Sequence, residues 1–492
     1  MPTRTTVSSS ISDPVMHVPE EFTSYTRSMM GDRLYGLWNE GMSSPSPTSI
    51  RVHPIKARGR DVMPQYHPER VAWCREGHYL SERPNFTFDP LLHSGAYYVQ
   101  EASSMFIDEV LRQHVSQPVV MLDLCAAPGG KSTTALTALP PGSLLFANEP
   151  IPLRAQVLME NLQKYGHPDT VVTQNYPADY ARSGLLFDVI LTDVPCSGEG
   201  MFRKDPGAIA EWSVQHVDNC WRLQREIVRH AWSCLRPGGL LIYSTCTLNT
   251  RENEQNINWA IEELEAEPVS VNISSDWGIT GSLDAACAAP VYRFIPGVSR
   301  GEGLFMAVLR KASCGNHSQE TAWNPKKQKS RKGASQPNIK AQNAMAERWL
   351  QAPDLYTLHI TGDRIAAIPK RWDSIYETAC RHLKVIHAGV GIGTIKGKDL
   401  LPRHELALST ELSPTAFPVV SVDYDTAIAY LRKEAIRLPS DTPLGHVLVS
   451  YQGLPLGFVK HLGNRSNNLY PPEWKIRSSH LPENNREILT EI

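Results

Sequence analysis

Short apolar runs alternate with amphipathic stretches between residues 106 and 312, and this alternation limits the fold more than any other feature of the sequence. Residues 187–194 are apolar almost throughout, as strands buried on both faces of a parallel sheet are. The pattern predicts an α/β fold with a mostly parallel, doubly wound sheet. The predicted strands are residues 119–124, 144–147, 171–173, 187–194 and 240–244, and the predicted helices are residues 131–139, 152–165, 216–235 and 251–264.

Composition divides the chain into four predicted parts. Residues 1–105 carry scattered Pro, Trp and Tyr in short patterns, which predict a small α+β cap, and residues 106–312 hold the sheet. Residues 313–344 are rich in Lys, Ser, Asn, Gln and Gly, which predicts a basic, solvated linker. Residues 345–492 form a second unit, in which two apolar runs around Gly453 predict a β-hairpin.

The bulk composition argues against several classes of protein. The nine cysteines follow no regular spacing, and no run of about 18 apolar residues occurs, so neither a disulfide framework nor a membrane span is predicted. The N-terminus has no apolar signal core, and we expect a cytoplasmic protein with no metal site. The formal net charge is −2, but residues 315–492 hold 23 Lys and Arg against 17 Asp and Glu. A mildly basic C-terminal third indicates a polyanionic partner.

A glycine turn follows the first predicted strand, where residues 122–132 read L-D-L-C-A-A-P-G-G-K-S. Glycine lets the backbone approach a ligand closely, and the next helix adds the positive end of its dipole. The spacing is neither the dinucleotide fingerprint nor a P-loop, and it suits a nucleoside that carries a carboxylate. The candidate binding residues in this turn are Cys125, Ala126, Ala127, Pro128, Gly129, Gly130 and Lys131.

An acid ends the second predicted strand, at Glu149. A carboxylate in this place can accept hydrogen bonds from ribose hydroxyls. The alternative is that Glu149 only caps the helix that follows. Because the glycine turn lies upstream, we favour the ribose role.

Two cysteines follow predicted strands, Cys196 in T-D-V-P-C-S-G and Cys246 in Y-S-T-C-T. The carboxyl ends of parallel strands meet at one edge of a sheet, so both thiols are predicted to lie near the glycine turn. A free cysteine is more often a buried core residue, and we keep that interpretation for most of the others. The pattern at 196 and 246 instead indicates covalent chemistry on a pyrimidine base.

The motifs at residues 123–131, 193–200, 244–254 and 301–305 resemble those of the RNA 5-methylcytosine methyltransferases, the NOL1/NOP2/Sun family. Residues 456–471 are similar to the PUA-like tail domain of that family's bacterial 16S rRNA methyltransferase F branch. The resemblance implies a Rossmann-like class I methyltransferase sheet, an N-terminal α+β cap and a C-terminal PUA-like RNA-binding domain. It also implies S-adenosyl-L-methionine as the cofactor.

The same resemblance assigns roles to four side chains. Cys246 would add to carbon 6 of a cytosine, and Cys196 would help to remove the C5 proton and release the product. Asp193 resembles the family acid that hydrogen-bonds the edge of the cytosine ring and borders the cofactor pocket. Lys131 is a candidate for favouring the thiolate of Cys246, because only the thiolate attacks.

Two segments depart from the family pattern, and the role of a third is ambiguous. Where many relatives have an Asp that approaches adenine, this chain has Asn175 and Tyr176, and either could substitute. His53 stands where Asn is usual in a segment similar to the family's RNA-contacting segment. The acids at the start of the helix after Cys246, Glu252 and Glu254, are at least as consistent with simple dipole stabilisation as with function.

RNA is the predicted partner, presented with one cytosine flipped from its stack. The substrate is predicted to be 16S rRNA or a small-subunit particle, with tRNA as the alternative, and the protein is predicted to be a monomer. A non-catalytic RNA-binding assembly factor is the rival class, although such a protein has no need of both cysteines. The side chains predicted to hold phosphates or stack on bases are Lys460, Arg465, Lys475, Arg477, Tyr470 and Trp474.

Overall fold

A computed structural model describes residues 18–313, 337–478 and 487–492. The basic cluster of the predicted linker, residues 326–332, and the polar N-terminal residues 1–14 lie outside these ranges. No helix within the described ranges is both long and apolar enough to cross a membrane.

The N-terminal part consists of a long helix and a small antiparallel sheet with strand order β3-β4-β1-β5. Helix and sheet together form the predicted α+β cap. The elements are α1 (Glu20–Ser43), β1 (Thr48–Val52), β2 (Arg60–Val62), β3 (Glu69–Arg70), β4 (Gly77–Leu80), α2 (Pro90–His93) and β5 (Tyr97–Val99).

The central part alternates strands and helices as the sequence predicts. The elements are α3 (Ile107–His114), β6 (Val120–Asp123), α4 (Gly130–Ala138), β7 (Leu144–Asn148), α5 (Pro152–Tyr165), β8 (Thr170–Thr173), α6 (Pro177–Ser183), β9 (Phe187–Asp193), α7 (Pro206–Glu211), α8 (Val214–Cys234), β10 (Leu235–Thr245), α9 (Glu254–Leu264), β11 (Ala266–Val269), β12 (Val291–Phe294) and β13 (Leu304–Lys311).

The five predicted strands pair in parallel in the order β8-β7-β6-β9-β10. The chain order reverses beside β6, which has β7 on one side and β9 on the other. In doubly wound sheets, ligands bind outside the carboxyl ends of the strands at such a switch point. The predicted Rossmann-like sheet is therefore confirmed, and its topology directs attention to the loops after β6, β9 and β10.

Both edges of this sheet carry antiparallel strands that the sequence pattern did not predict. At one edge β13 pairs with β10, and β11 and β12 pair with β13. At the other edge β16 (Val385–Ala388), from the C-terminal part of the chain, pairs with β8. Periodicity identifies strands one at a time, so it gives no sign of a partner that lies about 200 residues away in sequence.

The C-terminal part contains two four-stranded sheets, with orders β14-β15-β17-β18 and β19-β20-β21-β22. The last strand, β23, pairs with β2 of the N-terminal part, and α10 overlaps the end of the predicted linker. The elements are α10 (Pro337–Arg348), β14 (Tyr356–Thr361), β15 (Arg364–Pro369), α11 (Asp373–His382), β16 (Val385–Ala388), β17 (Val390–Lys396), β18 (Asp399–Pro402), α12 (His404–Leu408), β19 (Val419–Val422), α13 (Tyr424–Leu431), β20 (Gly445–Tyr451), β21 (Leu454–His461), β22 (Ser466–Asn468) and β23 (Leu489–Glu491).

Alternate residues of the central strands pack into two separate apolar cores. Helices α3 and α4 cover one face of the sheet, where Met121 and Leu145 are buried. Helices α6, α8, α9 and α11 cover the other, where Leu122 and Phe146 are buried. Burial on both faces fixes the register of the parallel strands, because a slip by one residue would exchange the two sets.

One side chain fastens the added edge strand to the sheet. Oδ1 of Asn175 accepts a hydrogen bond from the backbone amide of Lys384 at 3.0 Å, and its Nδ2 donates to the Lys384 carbonyl at 3.3 Å. Lys384 immediately precedes β16. We expect Asn175→Ala to lower the free energy of unfolding by about 1–3 kcal/mol, because it removes two hydrogen bonds from a buried side chain to the backbone of Lys384.

Hydrogen exchange and chemical denaturation check this prediction, with faster exchange expected at the amides of β16. Gln174→Ala is the matched control, because the Gln174 side chain contacts Lys384 only at its ammonium, and the hydrogen bond from the Gln174 backbone amide to the Lys384 carbonyl survives the substitution. That variant is expected to change stability by no more than about 0.5 kcal/mol. Equal effects of the two variants would contradict the account.

Candidate active site

The glycine turn joins β6 to α4 at the carboxyl edge of the sheet. The backbone of Gly129 has a φ of 113°, in the region that favours glycine, and α4 begins at the next residue. A Cβ on Gly129 would lie 3.3 Å from the side chain of Leu158. The backbone amide of Ala126 donates to the Asn148 carbonyl at 2.8 Å, which ties the turn to the end of β7.

A cavity of about 340 Å³ opens over this turn and extends to the ends of β9 and β10. It brings together most of the residues predicted from the sequence. Those that line it are Cys125, Ala126, Ala127, Pro128, Gly130, Lys131, Asp193 and Cys246. Asp123 also lines it, whereas Gly129, Glu149 and Cys196 are not among its lining residues.

Asp123 is fully buried at the floor of the cavity. Burial raises the pKa of its carboxyl group to about 7. Its Oδ2 accepts a hydrogen bond of 2.6 Å from the hydroxyl of Ser132, and its Oδ1 accepts none of ordinary geometry from the described residues. A buried acceptor that borders a cavity is suited to a hydrogen-bond donor of a ligand.

Asp193 is held from two sides at the end of β9. Its Oδ2 accepts from the ammonium of Lys131 at 2.8 Å, and its Oδ1 accepts from the hydroxyl of Ser244 at 2.6 Å. Burial alone would lower the pKa of Lys131, but the charges of Asp193 and Cys246 outweigh it and raise that pKa above its ordinary value. The lysine therefore remains a cation between the acid and the thiol.

The two predicted thiols meet in this cleft, with 3.2 Å between the Sγ atoms of Cys196 and Cys246. The hydrogen bond to Cys246, together with burial, raises the pKa of the Cys196 thiol well above its ordinary value. The two loops come into close contact at Gly200, whose backbone amide donates a hydrogen bond to the Cys246 carbonyl at 2.7 Å. A Cβ on Gly200 would lie 2.7 Å from that same carbonyl oxygen.

A buried polar network lies beneath the thiols, and the sequence did not predict it. Asn249 lies at its centre and donates from Nδ2 to the carboxylates of Glu199 and Glu252 at 3.0 and 2.8 Å. Glu252 and Glu254 are fully buried, although at the start of a helix they were considered simple dipole partners. Sequence gives no signal that separates a buried acid at this position from an exposed one.

Two further predictions concern the cofactor side of the cavity. Glu149 is buried, and its Oε1 accepts from the amide of Ile151 at 3.0 Å, which is the contact of the capping alternative. Its ribose role stays a prediction. Of the two candidates for the adenine contact, the Asn175 side chain is occupied by Lys384, and Tyr176 is 69% exposed.

The predicted RNA surface is partly corrected by the burial of its residues. Tyr470 was predicted to stack on bases, but its side chain is fully buried and packs edge-on against Tyr430. Trp474 is partly buried, and the ammonium of Lys164 lies 4.9 Å from the centre of its ring. The four cations of the predicted surface, Lys460, Arg465, Lys475 and Arg477, are exposed.

Comparison with known proteins agrees with this architecture along most of the chain. Residues 110–310 match the family model of the 16S rRNA methyltransferase RsmB/F. Residues 18–102 match the N-terminal domain of 16S rRNA methyltransferase RsmF, and residues 417–476 match the methyltransferase RsmF PUA domain. The PUA match covers the second of the two C-terminal sheets.

The chain is also similar to curated relatives and to solved structures. The chain is 30% identical to a ribosomal RNA small subunit methyltransferase F of Enterobacter, over 92% of this chain and 95% of the relative. It is 29% identical to that of Klebsiella pneumoniae, over 94% and 98%. A methyltransferase homologue from Pyrococcus horikoshii is 25% identical with a TM-score of 0.51, covering 60% of this chain and 96% of that chain. NSun6 from the same organism has a TM-score of 0.50 at 20% identity, covering 61% of this chain and all of that one.

The family match, together with the doubly wound sheet and its glycine turn, identifies the class as a Rossmann-like methyltransferase that depends on S-adenosylmethionine. The predicted enzyme class, fold and cofactor are confirmed at this level. The chain belongs to the ribosomal RNA small subunit methyltransferase F family. The cavity fits the cofactor, because the buried carboxyl group of Asp123 and the first residues of α4, Gly130 and Lys131, line it.

The raised pKa of Asp123 makes a prediction about stability and pH. In the unfolded chain this carboxyl loses its proton near its ordinary pKa, about 4, whereas in the folded protein it keeps the proton up to about pH 7. The folded state therefore binds more protons between these values, and the free energy of unfolding falls as the pH rises through this window. The same holds for Glu252, whose pKa is raised to about 7 mainly by burial.

Asp123→Asn imitates the protonated carboxyl and is expected to remove part of this fall. Between pH 4 and pH 7.5, the free energy of unfolding of the variant should fall less than that of the wild type, by on the order of 3 kcal/mol. Denaturation midpoints measured across this range, without cofactor, check the prediction. Parallel pH profiles for the variant and the wild type would contradict the assignment of a proton to buried Asp123.

Proposed function

We propose that the protein transfers a methyl group from S-adenosylmethionine to carbon 5 of a cytosine in RNA, and that the RNA is 16S rRNA. One observation carries the proposal: the thiols of Cys196 and Cys246 lie 3.2 Å apart at the cavity that borders the glycine turn. The names of the curated relatives, ribosomal RNA small subunit methyltransferase F, support the choice of substrate.

Cys246 is the proposed nucleophile. Carbon 5 of cytosine is a poor nucleophile, and addition of a thiolate to carbon 6 makes carbon 5 react like an enamine. Of the two thiols, Cys246 is the one that lines the cavity, together with Lys131 and Asp193. S-adenosylmethionine supplies the electrophilic methyl group when it is bound.

Cys196 is the proposed base that ends the reaction. Its pKa is raised chiefly by the hydrogen bond between its thiol and that of Cys246. When the sulfur of Cys246 bonds to the pyrimidine, this hydrogen bond is lost, which lowers the pKa of Cys196 and favours release of its proton to solvent. The Cys196 thiolate then takes the C5 proton, the electron pair restores the C5–C6 double bond, and Cys246 leaves as a thiolate.

Asp193 is proposed to bond the edge of the cytosine ring and to offset the charge that develops there. Both of its oxygens are already engaged, by Lys131 and Ser244, so the carboxylate enters the reaction with a fixed orientation. The cofactor is proposed to lie on the turn residues 125–131, with its ribose on Glu149.

The chain is proposed to divide into four parts, of which the first and the last serve RNA binding. We assign residues 1–105 to an RNA-contacting cap, residues 106–312 to methyl transfer, residues 313–344 to a basic linker and residues 345–492 to a C-terminal PUA-like domain. The exposed cations Lys460, Arg465, Lys475 and Arg477 are proposed to contact phosphates. We further propose that the protein acts in the cytoplasm as a monomer.

Bisulfite mapping of rRNA and tRNA from cells with and without the gene tests the function. The proposal predicts the loss of a 5-methylcytosine at one or more positions in 16S rRNA. Loss in tRNA alone would overturn the substrate, and no loss in any RNA would overturn the activity.

The two cysteines make a sharper prediction. Cys246→Ala is expected to form no covalent RNA complex, because it lacks the attacking sulfur, whereas Cys196→Ala is expected to accumulate one, because nothing removes the C5 proton. Denaturing gel electrophoresis of protein mixed with RNA and cofactor distinguishes the two. Cys380→Ala, an exposed cysteine on α11, is the control and should behave like the wild type. Adducts from Cys246→Ala alone would reverse the two roles.

A further inference from the structure

Cys196 lies in a short loop whose backbone is held on both sides by two buried side chains. The carbonyl of Pro195, just before it, accepts a hydrogen bond of 2.9 Å from Nε2 of Gln224. The amide of Ser197, just after it, donates to Oε2 of Glu252 at 3.1 Å. Gln224 and Glu252 are themselves joined by a bond of 2.6 Å, so together they clamp the peptide units on either side of the thiol.

The same carboxylate reaches the loop of the other cysteine. Oε1 of Glu252 accepts from Nδ2 of Asn249 at 2.8 Å, and Asn249 lies three residues after Cys246. A second bridge runs between the hydroxyls of Ser197 and Thr247 at 2.8 Å. Glu252 is thus the one side chain among the described residues that receives hydrogen bonds from both cysteine loops and from α8.

Three donors converge on the two oxygens of Glu252, and none of them is a cation. Burying a carboxyl group without a cationic partner is unfavourable, and the neighbouring Glu199 adds to the cost. An amide at this position would direct an NH₂ group at one of the donors and break at least one of the three bonds. The arrangement therefore depends on a carboxyl group and not merely on a polar residue of this size.

We propose that Glu252 is a positioning residue that fixes the Cys196 thiol against Cys246 and thereby sets the rate at which the covalent RNA complex is resolved. The inference rests on the proposed function and adds to it a residue that touches neither RNA nor cofactor. Glu252 acts mainly on the later half of the reaction, because two of its three hydrogen bonds hold the Cys196 loop, one directly through Ser197 and one through Gln224, whereas only one reaches the Cys246 loop.

Glu252→Gln tests this by separating formation of the complex from its resolution. With RNA that carries 5-fluorocytosine, from which the C5 substituent cannot be removed, the variant should form adduct within about threefold of the wild-type rate. With ordinary RNA it should accumulate adduct and turn over at least tenfold more slowly, since a displacement of about 1 Å can reduce a rate by a factor of about 100. The KM for RNA should change little.

Glu254→Gln is the matched control. Glu254 belongs to the same E-N-E motif and is equally buried, but it forms its ion pair with Arg293 and bonds the amide of Leu283 at 3.0 Å. This variant should lower the melting temperature without accumulating adduct on ordinary RNA. If Glu252→Gln folds poorly, Gln224→Met removes the clamp from its other side and should give the same accumulation.

The outcomes separate this inference from the function on which it rests. If wild-type protein forms no adduct with 5-fluorocytosine RNA, the proposed function fails and the inference with it. If the wild type forms adduct, but Glu252→Gln slows formation and turnover by the same factor or accumulates no more adduct than Glu254→Gln, this inference alone is overturned.

Discussion

The pairing of β9 with β10 is the constraint on which the rest of the site depends. Their parallel register sets Thr192 beside Tyr243 and Asp193 beside Ser244, so the two strands end at the same edge of the sheet. Cys196 follows one strand by three residues and Cys246 follows the other by one. Two thiols that are 50 residues apart in sequence can meet only because this register is fixed by burial on both faces of the sheet.

The arrangement of the two thiols is surrounded by buried acidic side chains, and burying such groups is unfavourable for the stability of the fold. Asp123, Glu199 and Glu252 are buried near the thiols, and each is satisfied mainly by neutral donors. Such groups reduce stability relative to an apolar core, and they persist where the surrounding structure holds them. In return, the carboxylate of Asp193 and the thiol of Cys196 are oriented before a substrate arrives, which avoids reorganisation during the reaction.

Sequence alone predicted the elements whose signals are local. The helix at residues 152–165 has a proline at its start and a glycine after its end, and its bounds agree with α5. The turn and both cysteines were found through motifs at strand ends. The edge strand β16, the network around Asn249 and the burial of Tyr470 were missed, because each depends on contacts between distant segments. An aromatic residue in a basic segment looks the same in sequence whether it stacks on a base or fills a core.

The central claim is that a sulfur of this cleft bonds to the pyrimidine while its neighbour stands ready to break that bond. A structure of the full chain trapped on RNA with 5-fluorocytosine, in the presence of S-adenosylmethionine, tests it most directly. The account predicts a bond between Sγ of Cys246 and carbon 6, with Sγ of Cys196 facing carbon 5. A bond from Cys196, or a flipped base with neither sulfur near its ring, would contradict it.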